Sequence, residues 1–225
     1  MDHMNFGGFG TDALSFFDGL EADNSKTYWA ANKQTFETAV REPMNALAQG
    51  VSAEFGPLVV FRPHRDVRFA KDKSPYKTHT GAVNELEGGA MVYVQLSSKG
   101  LMAASGYYMM ATDQLDRYRA AVADDRHGAT LEAAIVNVRA ARLTVSAGGS
   151  PPLKTAPRGY PRDHPRIDLL CWKGVIGSQE FGAPGWLFTK TALSHVEKSW
   201  RAASPLRVWL DRHVGPSELL PDEYR

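Results

Sequence analysis

The chain has 225 residues, 43% hydrophobic and 10% aromatic, with 26 Lys/Arg against 25 Asp/Glu and a formal net charge of +1. That composition excludes a disordered chain, and near-neutrality argues against a protein that coats nucleic acid through a broad basic field. A single cysteine, Cys171, cannot form an internal disulfide, so a reducing cytoplasm is the expected compartment, and no apolar run approaches the roughly 20 residues that span a bilayer.

The N-terminus, Met1 to Gly8, lacks the charged and apolar regions of a secretory signal and reads as a flexible, apolar start that can be pinned. Thr11 can cap a helix carrying Leu14, Phe17 and Leu20, and Ser25 a longer one with Trp29, Phe36 and Val40, ending near Pro43. Met44, Leu47, Val51 and Phe55 continue the stripe to Gly56-Pro57, where a helix must stop. Aromatics at this spacing face a core.

From Leu58 the period changes to two. Val59, Phe61, Val67 and Phe69 share one apolar face, with Phe61, Val67 and Phe69 expected to be buried, and Val60, Arg62, His64, Asp66 and Arg68 the other. A helix here would place Pro63 in its interior, at a cost of roughly 3 kcal/mol. The spacing therefore predicts an extended segment from Leu58 to Phe69. Arg65 falls on the apolar face unless a bulge near Pro63 shifts the register. Lys71 to His79, interrupted by Ser74-Pro75, reads as a loop.

Met91–Ser97 and Leu101–Met110 flank Ser98-Lys99-Gly100 and read as a hairpin. Helices are expected from Asp113 to about Asp125 and from about Thr130 to Ala141, with Arg142 to Ala147 returning to the sheet. Gly148-Gly149-Ser150-Pro151-Pro152 is the strongest turn signal, read as part of a long loop instead of a hinge. Pro165 suits the first turn of a helix capped by Asp163 or His164 and running through Ile167, Leu170 and Cys171. Lys173 to Phe181 reads as a strand. Leu193, Val196 and Trp200 mark one more helix, and Ser204-Pro205 starts a last one that ends at Gly215. The pattern predicts an α+β fold: one domain over residues 1–225, its antiparallel sheet flanked by N-terminal and C-terminal helices, with residues 148–165 a long loop and 216–225 a tail.

The most informative stretch is Arg62 to His79. Arg62, Arg65, Arg68, Lys71, Lys73 and Lys77 stand against Asp66 and Asp72, a local +4 in a chain of total +1. Arg offers a rigid fork of donors to phosphate or carboxylate, and Lys a mobile point charge. Candidate anion ligands are therefore Arg62, Arg68, Lys71 and Lys77, with Arg65 structural. Lys73 can neutralise developing charge, Asp66 or Asp72 can serve as base or metal ligand, and Tyr76 can close over a ligand. The competing reading is an Arg/Asp network that fixes the loop to the sheet.

A second basic cluster, Arg158 to Arg166, adds Arg162 and His164 as anion-binding candidates near a helix start; its alternative is a solvated turn. Standard zinc patterns, the phosphate-binding loop, the dinucleotide turn and the hydrolase elbow are absent. No metal ligand set or cofactor is indicated. Cys171, among Leu169, Leu170 and Trp172, reads as a buried inert thiol.

Arg62-x-x-Arg65-Asp66-x-Arg68-Phe69, followed by Asp72-Lys73 and Tyr76, resembles the signature of the bacterial domain-of-unknown-function family 2461. The Trp29 helix and Gly106-Tyr107-Tyr108 are similar to family features, and the resemblance covers roughly Phe9 to Leu210. It implies one intact domain and transfers no activity, cofactor or catalytic residue. The functional expectation is an enzyme acting on a phosphorylated or otherwise anionic small molecule. The rival is a non-catalytic nucleic-acid or protein-binding module, which needs a positive stripe with exposed aromatics instead of a convergent site.

Overall fold

The computed structural model describes residues 5–66, 68, 72–84 and 89–219. Helix α1 (Thr11–Ala22) begins after Gly10, which makes no side-chain cap bond, so Thr11 is the first helical residue and not the cap. Helix α2 (Lys26–Thr35) is capped as expected: Ser25 Oγ accepts from Tyr28 N at 3.0 Å. A π-helical turn, Phe36–Arg41, joins it to α3 (Glu42–Phe55). Pro43, in the first turn of α3, has no N–H and its ring would strike the carbonyl four residues back, so an unbroken α-ladder cannot pass it. The wider turn absorbs the misfit, with Glu42 N donating to Glu37 O.

The chain continues through β1 (Leu58–Val60), β2 (His79–Asn84), β3 (Met91–Ser97), β4 (Gly100–Tyr107), α4 (Thr112–Ala123) and α5 (Asp125–Ala140). It closes with β5 (Thr144–Ser146), α6 (Ile167–Leu170), β6 (Val175–Gly182), α7 (Thr191–Ala202) and α8 (Ser204–His213). The fold class is α+β, with a six-stranded antiparallel sheet of order β1-β2-β3-β4-β6-β5. Among the described residues no helix is long and apolar enough to cross a membrane.

Two compact units divide the chain. The first comprises residues 1–84, 93–103 and 180–198, the second 85–92, 104–179 and 199–225. In the first, the rings of Phe17, Trp29 and Phe36 surround Phe16 at 5.3–5.7 Å, and Leu47, Val94 and Leu96 complete a core closed to solvent. Near the start of the described chain Phe6 and Phe9 are buried, and Phe9 N donates to Leu187 O. In the second unit, Tyr118, Leu131, Val138, Leu170, Leu206 and Leu210 form the core.

Strand β1 corrects the sequence reading. It ends at Val60, and Val59 is 51% exposed. The register pairs Leu58 with Asn84 and Val60 with Ala82, placing these half-buried residues on the face of buried Ala82 and Asn84. Asn84 in turn donates to Phe55 O at the end of α3. Val59 and Phe61 do share a side, but it is the open face of the sheet. A period of two identifies who shares a face, and only the neighbouring strand and helix decide which face is covered. Val67 and Phe69 lie outside the described residues.

Other differences are local. Helix α5 starts at Asp125, earlier than its apolar stripe, because Asp124 accepts from His127 N at 2.7 Å as an N-cap. Helix α6 is one turn whose first N–H, from Ile167, meets His164 O; neither Asp163 nor His164 caps it through a side chain. Cys171 is half-buried, since Leu170 takes the fully enclosed position, and its Sγ lies 3.6 Å from Thr155 O. Residues 147–166 form a long loop inside the second unit, tied by Gly149 N to Tyr108 O and Leu153 N to Cys171 O. The start of the C-terminal tail is held as well, with Ser217 Oγ and Glu218 N both donating to Asp113.

Candidate functional site

The basic segment folds back on itself as a pinned loop in the first unit. Phe61 N donates to Gly81 O at 2.8 Å, Lys77 N to Pro63 O at 2.8 Å and Arg65 N to Pro75 O at 2.9 Å, while His64 and Tyr76 form an antiparallel bridge. Pro63 and Pro75 have no N–H to give, so each contributes only its carbonyl to this ladder. The loop is also fastened to the helices. Asn24 grips both polar atoms of the Tyr76 peptide, accepting from its N at 3.1 Å and donating to its O at 3.0 Å. The Tyr76 ring, 6% exposed, stacks on Trp29 with centroids 4.2 Å apart and planes 9° from parallel. Tyr76, a catalytic candidate in the sequence, is thus placed as an anchor.

At the tip the acids are engaged. Asp66 accepts from Arg68 Nε at 3.0 Å, Nη2 at 2.6 Å and N at 3.2 Å, bonds that hold its carboxyl down at about 2. Asp72 accepts from Ser74 Oγ at 2.6 Å and N at 2.9 Å and pairs with Arg65; the Ser74 bonds lead in lowering its proton affinity. Both carboxylates are bonded to donors, and the lowered proton affinity weakens the drive of either to take a proton. The sign follows from the depressed value. The Asp66 pairing contributes above the ordinary 3.8 and is lost as pH falls through about 2.

Exposed as it is, the Arg68–Asp66 pair adds little stability. Arg68→Ala is expected to leave the urea unfolding midpoint almost unchanged. A large fall in the midpoint would make the loop a salt-bridge scaffold. Arg65 is more enclosed than Asp72, at 27% against 57% side-chain exposure.

Cationic charge is gathered behind the tip. Burial, with Arg62 and Arg65 nearby, lowers the proton affinity of Lys77. Burial, with Lys77 and Arg65 nearby, lowers that of His79. Lys77 Nζ lies 5.0 Å over the Phe61 ring. Among the described residues neither Arg62 nor Lys77 makes a close ion pair, though Arg62 lies near enough to Asp66 to help lower its proton affinity. His79 begins β2 on the open face, in the same row as Gly81, and the register sets Gln95 and Tyr93 on that face of β3. Gly81 makes room for Tyr93, whose hydroxyl would stand 2.8 Å from a Cβ placed there and which donates to Gln95 Oε1 at 2.8 Å.

Of the other candidates, Lys73 is exposed at the tip and Lys71 lies outside the described residues. Arg162 and His164 belong to the second unit. Arg162 lines a cavity of about 580 Å3 with Lys154, Asp168, Cys171 and Trp172. His164 uses Nδ1 to accept from Arg166 N at 3.0 Å. Arg166 is a structural staple, donating to Glu132 at 3.1 Å and to the carbonyls of Val122 and Asp125. No group of three His, Cys, Asp or Glu side chains among the described residues is arranged to hold a metal ion.

Sequence reasoning left out His79, Asn24 and the role of Trp29. The one local signal for His79 was its place at the head of an alternating strand, directly after the basic run.

Fold and loop together define an α+β protein carrying a helix-anchored cationic loop on the open face of its sheet. Residues 12–209 match the family model described as a conserved hypothetical protein (DUF2461), and the chain belongs to that family. No curated protein and no solved structure matches it.

Proposed function

We propose that Arg62, Lys77 and His79 bind the oxyanion group of a phosphorylated or otherwise anionic small molecule, and that the protein is an enzyme acting on it. The observation that carries this reading is the separation of charge within the loop: the acids are turned to Arg65, Arg68 and Ser74 at the tip, leaving a cationic group behind it. His79, below its ordinary value and neutral at pH 7, is the group suited to carry a proton. Phe61 and Tyr93, half-exposed beside the cations, offer apolar support for the body of the ligand. Trp29 and Tyr76 use their ring faces on each other, which favours the small anion over single-stranded nucleic acid.

The test compares unmodified protein with the Arg62→Ala/Lys77→Ala variant in thermal unfolding with inorganic phosphate. Phosphate at about 100 times its dissociation constant should stabilise by roughly 2.7 kcal/mol at each site it fills. The contribution of this site should vanish in the variant, whose ligand-free stability should be nearly unchanged. Oligonucleotide binding with a log–log salt slope near about −2.8, for four neutralised phosphates, and no response to phosphate would reverse the choice.

A further inference from the structure

We propose that a cavity between α5 and α8, within the second unit, is a separate oxyanion site that takes the phosphate group of a small molecule. It measures about 300 Å3 and is walled by Arg126, His127, Thr130, Trp209, Arg212 and His213.

Its floor is fixed by bonds and packing. Trp209, 5% exposed, donates Nε1 to His127 O and to Thr130 Oγ1, both at 3.0 Å, and Thr130 Oγ1 donates to His127 O at 2.7 Å. The His127 and His213 rings stand 4.5 Å apart, with His213 4.8 Å from Trp209. Two imidazoles are thereby held side by side in the wall, which lowers the ordering cost of binding.

The charges are not explained by the helices alone. Arg212 and His213 lie in the last turn of α8, where unsatisfied carbonyls favour cations. Arg126 and His127 lie in the first turn of α5, where the positive end of the helix disfavours them. Asp124 offsets part of this, with Oδ1 3.4 Å from His127 Nδ1. The neighbouring acids are turned elsewhere: Asp125 pairs with Arg166, and Asp211 accepts from Ala90 N and Tyr107 Oη. Among the described residues neither Arg126 nor Arg212 has an ion pair. Burial, His127 and Arg212 hold His213 below its ordinary value, so the cavity resists further positive charge. A dianion would reverse that balance and favour protonated His213. Pro205 and Val208 line the remaining wall and suit an apolar ligand body.

The groups facing the two imidazoles are Asp124, Arg126, Arg212 and each other, and because inorganic phosphate itself gains a proton as pH falls through neutrality, its affinity is compared among variants at one fixed pH. NMR of the imidazole resonances in full-length protein, titrated with inorganic phosphate, reads the site directly. Phosphate should shift the His127 and His213 signals and raise the titration midpoint of His213. Affinity should fall about tenfold in Arg126→Ala and again in Arg212→Ala, and stay unchanged in Arg62→Ala/Lys77→Ala. Imidazole signals that do not move with phosphate, or an affinity indifferent to both arginine substitutions, would overturn the proposal.

Discussion

Trp29→Ala is expected to cost roughly 3–5 kcal/mol and to lower the melting temperature by about 10 °C. Trp29 is 9% exposed and touches Phe16 at 5.7 Å and Phe36 at 4.8 Å, besides stacking on Tyr76. Removing it opens a cavity that these stiff rings cannot collapse into. The loss should also be uneven. With the stack gone, the peptide of Tyr76 keeps only its Asn24 clamp and the short ladder around Pro63 and Pro75. Hydrogen exchange should accelerate at Arg65 and Lys77 more than in the core of the second unit. Trp29→Phe, which keeps a ring face for Tyr76, should recover much of the protection. Uniform loss of protection would mean that the tryptophan supports the core and not the loop.

The second large effect is expected at Gly106, in the Gly106-Tyr107-Tyr108 stretch. Its φ is +135°, and a Cβ there would meet Val175 O at 2.2 Å, on the neighbouring strand β6. The obstacle is backbone, so no side chain can swing aside, and the strain of the dihedral adds to the clash. Gly106→Ala should destabilise by about 4 kcal/mol or more, or yield no soluble protein. Gly56→Ala is the control: φ is +77° but nothing lies within 4 Å of its Cβ, so only dihedral strain of about 1–3 kcal/mol remains. Equal melting temperatures for the two variants would show that β4 can move away from β6, against the close approach described above.

The helices were readable because each carries its own evidence. Trp29, Phe36, Val40, Met44 and Leu47 repeat at helical spacing, and Ser25, Pro43 and Gly56 punctuate the run through chemistry that acts within a few residues. The hairpin at Ser98-Lys99-Gly100 was readable for the same reason, since Gly100, at φ +98°, supplies a conformation that other residues resist. The concentration of charge in Arg62–His79 was equally plain in the sequence. Its internal division was not. Whether Asp66 meets Arg68, whether Asp72 meets Arg65 and which cations remain behind the tip depend on a ladder that closes across Pro63 and Pro75. That ladder is fastened by Asn24, 52 residues away from Tyr76. The side on which Val59 and Phe61 lie, and the slot of β6 between β4 and β5, were likewise settled by pairing between distant segments. Local periodicity records which residues share a face. The burial of that face is a property of whatever packs on it, and no short window of sequence contains the partner.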